Sequence, residues 1–263
     1  MSDKFIVHFS EVERNKIVEL SQHTLWNESS EDVVQALQYL REERKLPDNV
    51  IKRFRIGYFP QRLRKAGHDW AGRLIMPLYD SHDKLVVLTS RDFRADKNGM
   101  PHLHEEFDKK LFLYGSNVAK SHIVRWQKAI VVEGQVDTAA SHANGFEITV
   151  GILGSAFTIN HVCILARYCS DIFLAFDADE SGFGNLARSM TMYKKNGLDS
   201  FGLKFIPVVF PKYKDPDEFL AKESRQAYLN LLSEAKAGTD KLGSIGYYEL
   251  LREKEPHKLK GLK

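Results

Sequence analysis

Two patterns of hydrophobic and polar positions alternate along the chain, and they predict different structures. Over residues 11–45 apolar side chains recur at helical spacing, which predicts helices. The apolar runs at 73–80 and 84–90 flank a Ser-His-Asp turn and predict a β-hairpin. Residues 92–110 are polar and predict a long loop. The first half of the chain therefore has the pattern of a mixed α+β region.

From about residue 127, short continuous apolar runs alternate with amphipathic stretches. Continuous apolar strands separated by helices are typical of a parallel sheet that is covered on both faces. Residues 216–254 are predicted to be mostly helical, and 254–263 to be a basic, solvated end. The predicted strands lie at 129–134, 148–153, 171–179 and 202–210, and the helices between them at about 136–143, 158–168 and 182–195.

These elements together predict an α/β protein built from three regions. A basic α+β subdomain is expected over 1–126, and a Rossmann-like parallel sheet with helices on both faces over 127–213. A helical subdomain with a basic tail is expected over 214–263. The boundaries follow the changes in hydrophobic pattern.

Composition narrows the class of protein. Hydrophobic residues make up 43% and charged residues 28% of the 263 positions, as in folded globular proteins. No apolar run approaches the roughly 20 residues of a membrane helix and no secretory pattern opens the chain, so a cytoplasmic protein without a membrane partner is expected. Cys163 and Cys169 are too few for a disulfide framework or a four-cysteine zinc site, and their apolar surroundings predict buried thiols.

The net charge of +3 says little about partners, but its distribution leaves two questions open. Residues 52–65 hold six basic side chains and no acidic one. The aromatic residues among them could stack on nucleic-acid bases or could belong to the core. His102 and His104, together with Glu105, could bind a metal ion or could simply be exposed loop histidines.

Acidic residues at the ends of the predicted strands are the most informative feature. Glu133 ends the first strand of the parallel sheet, and Asp177 and Asp179 end the third, where alternate residues would share one face. Ligands of open parallel sheets bind at the carboxyl ends of the strands. Because acids placed there repel one another unless a cation neutralises them, the pattern predicts a site for a hard divalent ion.

Further acids extend this predicted cluster. Asp137 lies on the first turn of the following helix, and Asp215 and Asp217 come after the fourth strand. Any one of them could be a helix N-cap or a solvated acid, so the argument for a metal rests on the set. Gly134 and Gly182 allow tight turns from strand to helix.

Three segments in this half of the chain resemble the Toprim domain: VVEGQVD at 131–137, LGS at 153–155 and FDADESG at 176–182. That domain is shared by bacterial-type primases, topoisomerases, nucleases and recombination-mediator proteins. The flanking motifs RIGYFP, LYG and DPDEFL are similar, in order, to the RNA polymerase core of DnaG-like bacterial and phage primases. The resemblance covers about residues 30–235.

The resemblance implies roles for individual residues. The glutamate of the Toprim pattern holds metal or acts in acid–base chemistry, and the two aspartate pairs are metal ligands for two or more Mg²⁺ or Mn²⁺ ions, with no zinc expected. Basic residues of the N-terminal flank contact template or nucleotide phosphate. The matching positions for metal are Glu133, Asp177, Asp179, Asp215 and Asp217. Those for nucleic acid or nucleotide are Arg91, Lys109, more weakly Arg73, and Asp137, the acid that follows the EG turn.

The implied function is synthesis of short RNA primers on single-stranded DNA from ribonucleoside triphosphates. The chain carries no cysteine cluster for the zinc ribbon that usually begins such primases, so a helicase or a separate zinc-binding factor is an expected partner. It also has His102-Leu103 and Phe183 where the family often has a Lys-Tyr pair and a basic residue. These changes bear on template and nucleotide contacts.

Two alternatives stay open at this point. The same carboxylates could activate water against a phosphodiester, as in Toprim nucleases. A non-catalytic Toprim module of the replisome or of recombination would keep the fold as a binding platform. A topoisomerase is disfavoured because it needs a further DNA-gate domain with a tyrosine nucleophile.

Overall fold

The computed structural model describes residues 9–60, 64–65, 68–94, 102–154, 156–210 and 212–254. It divides into two compact units, Met1–Asp108 and Lys109–Lys263, which are described separately. The division of the sequence into three regions stays a prediction. The basic end at 255–263 and part of the predicted loop, 95–101, lie outside the described residues.

The first unit combines helices with a mainly antiparallel set of strands. Its helices are α1 (Glu11–Asn27), α2 (Glu31–Gln38), which runs into a π-helical turn at Tyr39–Glu43, and α3 (Asp48–Arg53). Its strands are β1 (Gly57–Phe59), β2 (Arg64–Lys65), β3 (His68–Asp69), β4 (Arg73–Tyr79), β5 (Leu85–Arg91) and β6 (His102–His104).

A four-stranded antiparallel sheet in the order β1-β4-β5-β6 forms the centre of this unit, and the predicted hairpin is its β4–β5 pair. Apolar side chains of α1 pack with Trp70, Ile75 and Leu88 in one core cluster. Phe54, Tyr58 and Phe59 are also buried. The aromatic residues of the basic stretch therefore belong to the core and are not available for base stacking.

Glu105 answers the question about the two histidines of β6. Its carboxylate is fully buried and accepts hydrogen bonds from the Phe9 and Leu88 amides at 2.7 and 2.6 Å and a bidentate pair from Arg14. The side chains of His102 and His104 are exposed. The carboxylate of Glu105 is thus committed to the core of the first unit, which excludes it from a metal site with these histidines.

The second unit alternates strands and helices. It opens with a 3-10 turn at Lys109–Leu111, contains another at Leu198–Phe201, and ends in a long helix that is kinked at Gly243. Its strands are β7 (Lys128–Val132), β8 (Thr149–Gly151), β9 (Asp171–Leu174) and β10 (Lys204–Pro207). Its helices are α4 (Ser116–Trp126), α5 (Gln135–Ala143), α6 (Ile159–Leu165), α7 (Glu180–Lys195), α8 (Pro216–Lys222) and α9 (Arg225–Lys254).

These four strands form a parallel sheet in the order β10-β9-β7-β8. Ala129 and Val131 pack into the core cluster with α4, α6 and α7, whereas Ile130 and Val132 pack into the cluster with α8 and α9. Successive residues of β7 thus face opposite layers of helices, as the pleat of a strand requires. The prediction of an α/β fold with a parallel sheet covered on both faces is confirmed.

Three details of the sequence interpretation need correction or completion. The third strand of the parallel sheet ends at Leu174, not at residue 179. Cys169 is buried as expected, but Cys163 is exposed on the outer side of α6. Among the described residues, no helix combines the length and the apolar character that a bilayer crossing requires.

Candidate metal centre

The candidate site begins at the turn that follows β7. Glu133 and Gly134 connect the buried strand directly to α5, and the Glu133 carbonyl accepts a hydrogen bond of 3.0 Å from the amide of Gly154, beyond β8. The neighbouring Val132 carbonyl accepts from the Ile152 amide, also at 3.0 Å. The segment after β8 therefore holds the backbone around Glu133 in place. Glu133 lies at the carboxyl end of β7.

The Glu133 carboxyl lies in a largely buried setting. Burial raises its pKa, and the charge of Asp179 acts in the same direction, while a hydrogen bond with Asn185 and the charge of Arg188 oppose the rise. Its Oε1 atom is buried and has no hydrogen-bond partner among the described residues. An unsatisfied buried carboxylate oxygen is costly unless a cation or a proton compensates it.

Asp177 and Asp179 lie in a loop, so the expectation that they share one face of a strand was wrong. They follow β9 by three and five residues, where the backbone leaves the sheet and enters α7. Asp179 is the N-cap of α7, and its Oδ1 accepts from the Gly182 amide at 2.9 Å. Strand periodicity is therefore not what brings the two acids together; the turn into α7 does so.

Gly182 is required for this turn. A Cβ atom at this position would lie 1.9 Å from the carbonyl oxygen of Asp177, which is backbone and cannot move aside. The helix start thus packs directly against the aspartate loop. This contact gives a steric reason for glycine at the end of the DxDxxG pattern.

Asp177 is the electrostatic centre of the acidic residues. Its pKa is raised to about 8, first by burial and then by the charges of four other carboxylates. Its Oδ1 atom is buried without a hydrogen-bond partner among the described residues. The four carboxylates that act on it belong to Asp137, Glu133, Asp215 and Asp179.

Asp215 reaches this region through a loop that is tied to the Asp177 loop. The Ala178 amide donates to the carbonyl of Lys214 at 2.5 Å, which joins the segments after β9 and β10. Asp215 is the N-cap of α8, and its Oδ1 accepts from the Glu218 amide at 2.7 Å. Asp217 lies in the first turn of α8 and is not among the residues whose charge acts on Asp177.

Asp137 folds back over the turn that carries Glu133. A Cβ atom on Gly134 would lie 2.2 Å from Oδ2 of Asp137, so the carboxyl group occupies the space that the glycine leaves. Asp137 belongs to the first turn of α5. Asp179 and Asp215 are therefore helix N-caps, which was one of the two roles considered for acids of this cluster. Asp137 is not an N-cap; its carboxyl group lies against the turn at Gly134.

This arrangement fits a hard divalent cation by charge and by donor type. Two orphaned carboxylate oxygens, on Glu133 and Asp177, lie among further acids whose repulsion a cation would relieve. Over the described parts of the chain, however, no three His, Cys, Asp or Glu side chains lie together in a group that could hold a metal ion, so the fit is one of charge and donor type only. Four carboxylates are near enough to act electrostatically on Asp177, and one oxygen each of Asp179 and Asp215 is engaged in a helix cap.

The predicted phosphate-binding residues lie in both units. Arg73 is buried in β4, where its Nε donates to Ser90 Oγ at 2.9 Å and its Nη1 lies 3.6 Å from Asp92, and burial lowers its pKa. Arg91 ends β5 with its guanidinium 5.9 Å from the Tyr39 ring centre. Lys109 begins the 3-10 turn of the second unit, half-buried, and burial lowers its pKa.

Sequence reasoning missed Asn185, which is buried on α7 and hydrogen-bonds Glu133. Arg188 donates from Nη2 to Asn185 Oδ1 at 2.6 Å, so an exposed cation orients the amide that in turn contacts the glutamate. The signal in the sequence was an Asn and an Arg three residues apart, both on one helix face shortly after the DxD motif.

Comparison with known proteins places this arrangement in context. Residues 130–220 match a family model described as Toprim-like. The DNA primase of Campylobacter jejuni is 32% identical over 165 residues, which cover 62% of this chain and 26% of that protein. This chain spans about a quarter to two-fifths of the length of the curated relatives that it matches.

Solved structures show the same fold. The catalytic core of the E. coli primase superposes with a TM-score of 0.72 at 21% identity, covering 94% of this chain and 96% of that one. A DnaG primase catalytic domain bound to single-stranded DNA gives a TM-score of 0.73 at 22% identity, covering 84% of this chain and 76% of that one. At these identities the likeness establishes the fold of the chain.

Proposed function

We propose, from the confirmed resemblance of this chain to the RNA polymerase core of DnaG-like primases, that it synthesises short RNA primers on single-stranded DNA. Ribonucleoside triphosphates are the proposed substrates. The observation that supports the chemistry is the set of carboxylates around Asp177, with orphaned oxygens on Asp177 and Glu133 at the carboxyl end of a parallel sheet.

The proposed metal ligands are Asp177, Asp179, Asp215 and Glu133, with Asp217 completing the set predicted from sequence. Two or more Mg²⁺ or Mn²⁺ ions bound there would supply Lewis-acid activation of a 3′-hydroxyl and neutralise charge on the triphosphate. Burial and the neighbouring acids raise the pKa of Asp177 to about 8, so a cation bound at this carboxyl would compete with a proton.

The protein's own residues position this chemistry. Asn185, oriented by Arg188, holds the Glu133 carboxyl, and Gly182 lets α7 pack against the Asp177 backbone. Glu133 either completes the ligand set or accepts a proton. Arg91 and Lys109 are the proposed contacts to template or nucleotide phosphates, whereas the buried Arg73 is engaged with Ser90 and Asp92.

The proposed partners follow from the same resemblance. They are a single-stranded DNA template, ribonucleotides, and a replicative helicase or a zinc-binding factor that would help to select start sites. The proposed setting is the cytoplasm of a bacterial cell or a phage-infected host. Such DNA binding should weaken steeply with salt, because phosphate contacts release counterions.

The second candidate is a Toprim nuclease, since the same carboxylates could activate water. One assay separates the two activities: labelled ribonucleotides and labelled single-stranded DNA are incubated together with Mg²⁺ or Mn²⁺. We expect the wild type to make short RNA products and Asp177→Asn to lose at least about 99% of the rate, as for loss of a group worth 2.7 kcal/mol in the transition state.

Asp199→Asn is the matched control, because Asp199 is an exposed acid of the same unit that lies outside the carboxylate set. It should keep the wild-type rate. Degradation of the labelled DNA that Asp177→Asn abolishes, without RNA products, would replace primer synthesis by the nuclease. Neither product, with the helicase also added, would contradict both activities.

A further inference from the structure

We propose that His161 is a positioning residue that holds Lys109 in place for contact with a phosphate group. The inference rests on the proposed function, in which Lys109 contacts phosphate of the template or of the incoming nucleotide. His161 lies on α6 and belongs to none of the motifs found in the sequence. In this proposal it supports the 3-10 turn at Lys109–Leu111.

The contact that carries this inference is a pair of hydrogen bonds made by one buried ring. His161 has no exposed surface, and its Nε2 lies 3.0 Å from the carbonyl oxygen of Lys109. Its Nδ1 accepts from the backbone amide of Thr158 at 3.2 Å. The ring also stacks on Phe157 with centroids 5.7 Å apart, which holds its plane.

These partners define the protonation state of the ring. A carbonyl oxygen can only accept, so Nε2 must carry the proton that it donates to Lys109. The Thr158 amide can only donate, so Nδ1 must be unprotonated. His161 is therefore the neutral Nε2–H tautomer, and it joins the start of α6 to the Lys109 backbone.

Further bonds fix the same short segment. Thr158 Oγ1 donates to the carbonyl of Lys110 at 3.4 Å, next to the His161 bond. At the other end of the segment, Tyr114 exchanges backbone hydrogen bonds of 2.8 and 3.0 Å with Gly151, the last residue of β8. Residues 109–114 are thus fastened at both ends to the unit that carries the carboxylates.

The consequence for Lys109 concerns the direction of its side chain. Its half-buried ammonium has lost part of its hydration. The electrostatic attraction between this ammonium and an anionic partner is therefore stronger than for a fully hydrated lysine. A flexible four-carbon side chain delivers its charge reproducibly only when its backbone is held. His161 supplies that support to the backbone without itself reaching the ligand.

The test compares His161→Leu, Lys109→Ala and their double variant with wild type. A labelled single-stranded oligodeoxynucleotide is titrated over a range of salt concentrations, and ATP with Mg²⁺ is titrated separately; both are equilibrium measurements that do not require primer synthesis. If the phosphate belongs to the template, Lys109→Ala should reduce the slope of log Kobs against log salt by about 0.7. If it belongs to the nucleotide, only ATP affinity should fall.

In whichever titration responds to Lys109→Ala, we expect His161→Leu to cause most of the same loss and the double variant to be no weaker than Lys109→Ala. His142→Leu is the matched control, because His142 is another buried histidine of this unit that contacts a backbone carbonyl, that of Thr149 at 2.9 Å. His161→Gln retains a donor and an acceptor and should bind nearly as wild type. Amide exchange over residues 109–115 should accelerate in His161→Leu and not in His142→Leu.

Three results would overturn the inference. Losses that multiply in the double variant would show that the two residues act independently. Equal effects of His161→Leu and His142→Leu would reduce His161 to general stability. Unchanged binding in Lys109→Ala, from a wild type that makes primers, would remove Lys109 as a phosphate contact and leave the proposed function standing.

Discussion

Both units contain buried carboxylate oxygens, but those of Glu105 in the first unit have hydrogen-bond partners, whereas two at the candidate metal centre of the second unit have none among the described residues. Glu105 of the first unit is fully buried, and each of its oxygens accepts hydrogen bonds from backbone amides or from Arg14. Glu133 and Asp177 of the second unit each keep a buried oxygen without a partner among the described residues, and further acids surround them. A carboxylate with all its bonds made stabilises a fold, whereas one left unsatisfied among like charges indicates a ligand.

The largest expected effect tests the satisfied acid. Glu105→Gln leaves Arg14, whose side chain is only 18% exposed, without its charged partner. Breaking a buried ion pair on one side costs about 3–5 kcal/mol. Denaturant unfolding of Glu105→Gln should show this loss, and Glu106→Gln, a change at the exposed neighbouring acid, should leave the free energy of unfolding within about 0.5 kcal/mol of wild type.

The next effect tests how closely α7 packs on the Asp177 loop. Gly182→Ala places a Cβ against the Asp177 backbone, and overpacking of this kind costs about 1–3 kcal/mol. It should also weaken Mg²⁺ binding by displacing Asp177. Gly246→Ala is the control at an exposed glycine of α9, where a Cβ would meet only the Leu242 side chain at 3.3 Å. Thermal unfolding without Mg²⁺ measures the loss of stability, and unfolding with Mg²⁺ measures the loss of ion binding. Equal losses in Gly182→Ala and in the control would show that the close contact with Asp177 is unimportant.

A smaller effect follows from the charge on Asp177 itself. Its folded-state pKa of about 8 lies above its unfolded value, so the folded state binds the proton more strongly. Without metal, stability should fall as pH rises from about 4 to 8. Asp177→Asn removes this penalty and should be more stable than wild type by about 1–2 kcal/mol at pH 8, after allowance for solvent screening, and equal to it near pH 4. Wild type gaining stability with rising pH relative to Asp177→Asn would contradict the assignment.

The smallest expected effect concerns the cation. At one fixed Mg²⁺ concentration, ten times the dissociation constant at pH 8, the free energy of unfolding of wild type at pH 8 should rise by about 1.4 kcal/mol. The rise should be larger at pH 8 than at pH 6, because the ion must displace the proton of Asp177. EDTA should reverse it, and Asp177→Asn should not show it. An equal rise in wild type and Asp177→Asn would place the bound ion elsewhere.

The sequence predicted the layers of the second unit well because burial on both faces leaves a strong signal. The runs around Val131 and Phe173 are continuously apolar, and only a strand between two helical layers places both faces in a core. The acids were found for a related reason, since charge directly after such a run must lie at a strand end. The acids come near Asp177 because each follows a strand of the same parallel sheet, and the order of strands and helices along the sequence already predicts that arrangement.

Other parts of the site could not be predicted from local pattern. Asp177 and Asp179 looked like strand residues because the apolar run continues to Phe176, although the strand itself ends at Leu174. The hydrogen bond from Asn185 to Glu133, and that from His161 to Lys109, join residues 52 positions apart along the chain. The sequence around Glu105 does not indicate that this residue is buried, because its partners Arg14 and Phe9 are distant in sequence and contact it only in the folded protein.

The hydrogen bond between Ala178 and Lys214 has a consequence for how this chain can vary in length. It makes the loops after β9 and β10 one body, so an inserted residue in either would carry an acid out of place. At the other end of β10, Gly197 and Gly202 have left-handed backbone conformations and bracket a turn in which residues 199–201 are exposed. Insertions are tolerated at exposed turns of this kind. Natural length differences between α7 and the end of β10 should therefore occur mainly at 197–202. Such differences would change the number of residues between the two aspartate motifs without changing the distance between them in space.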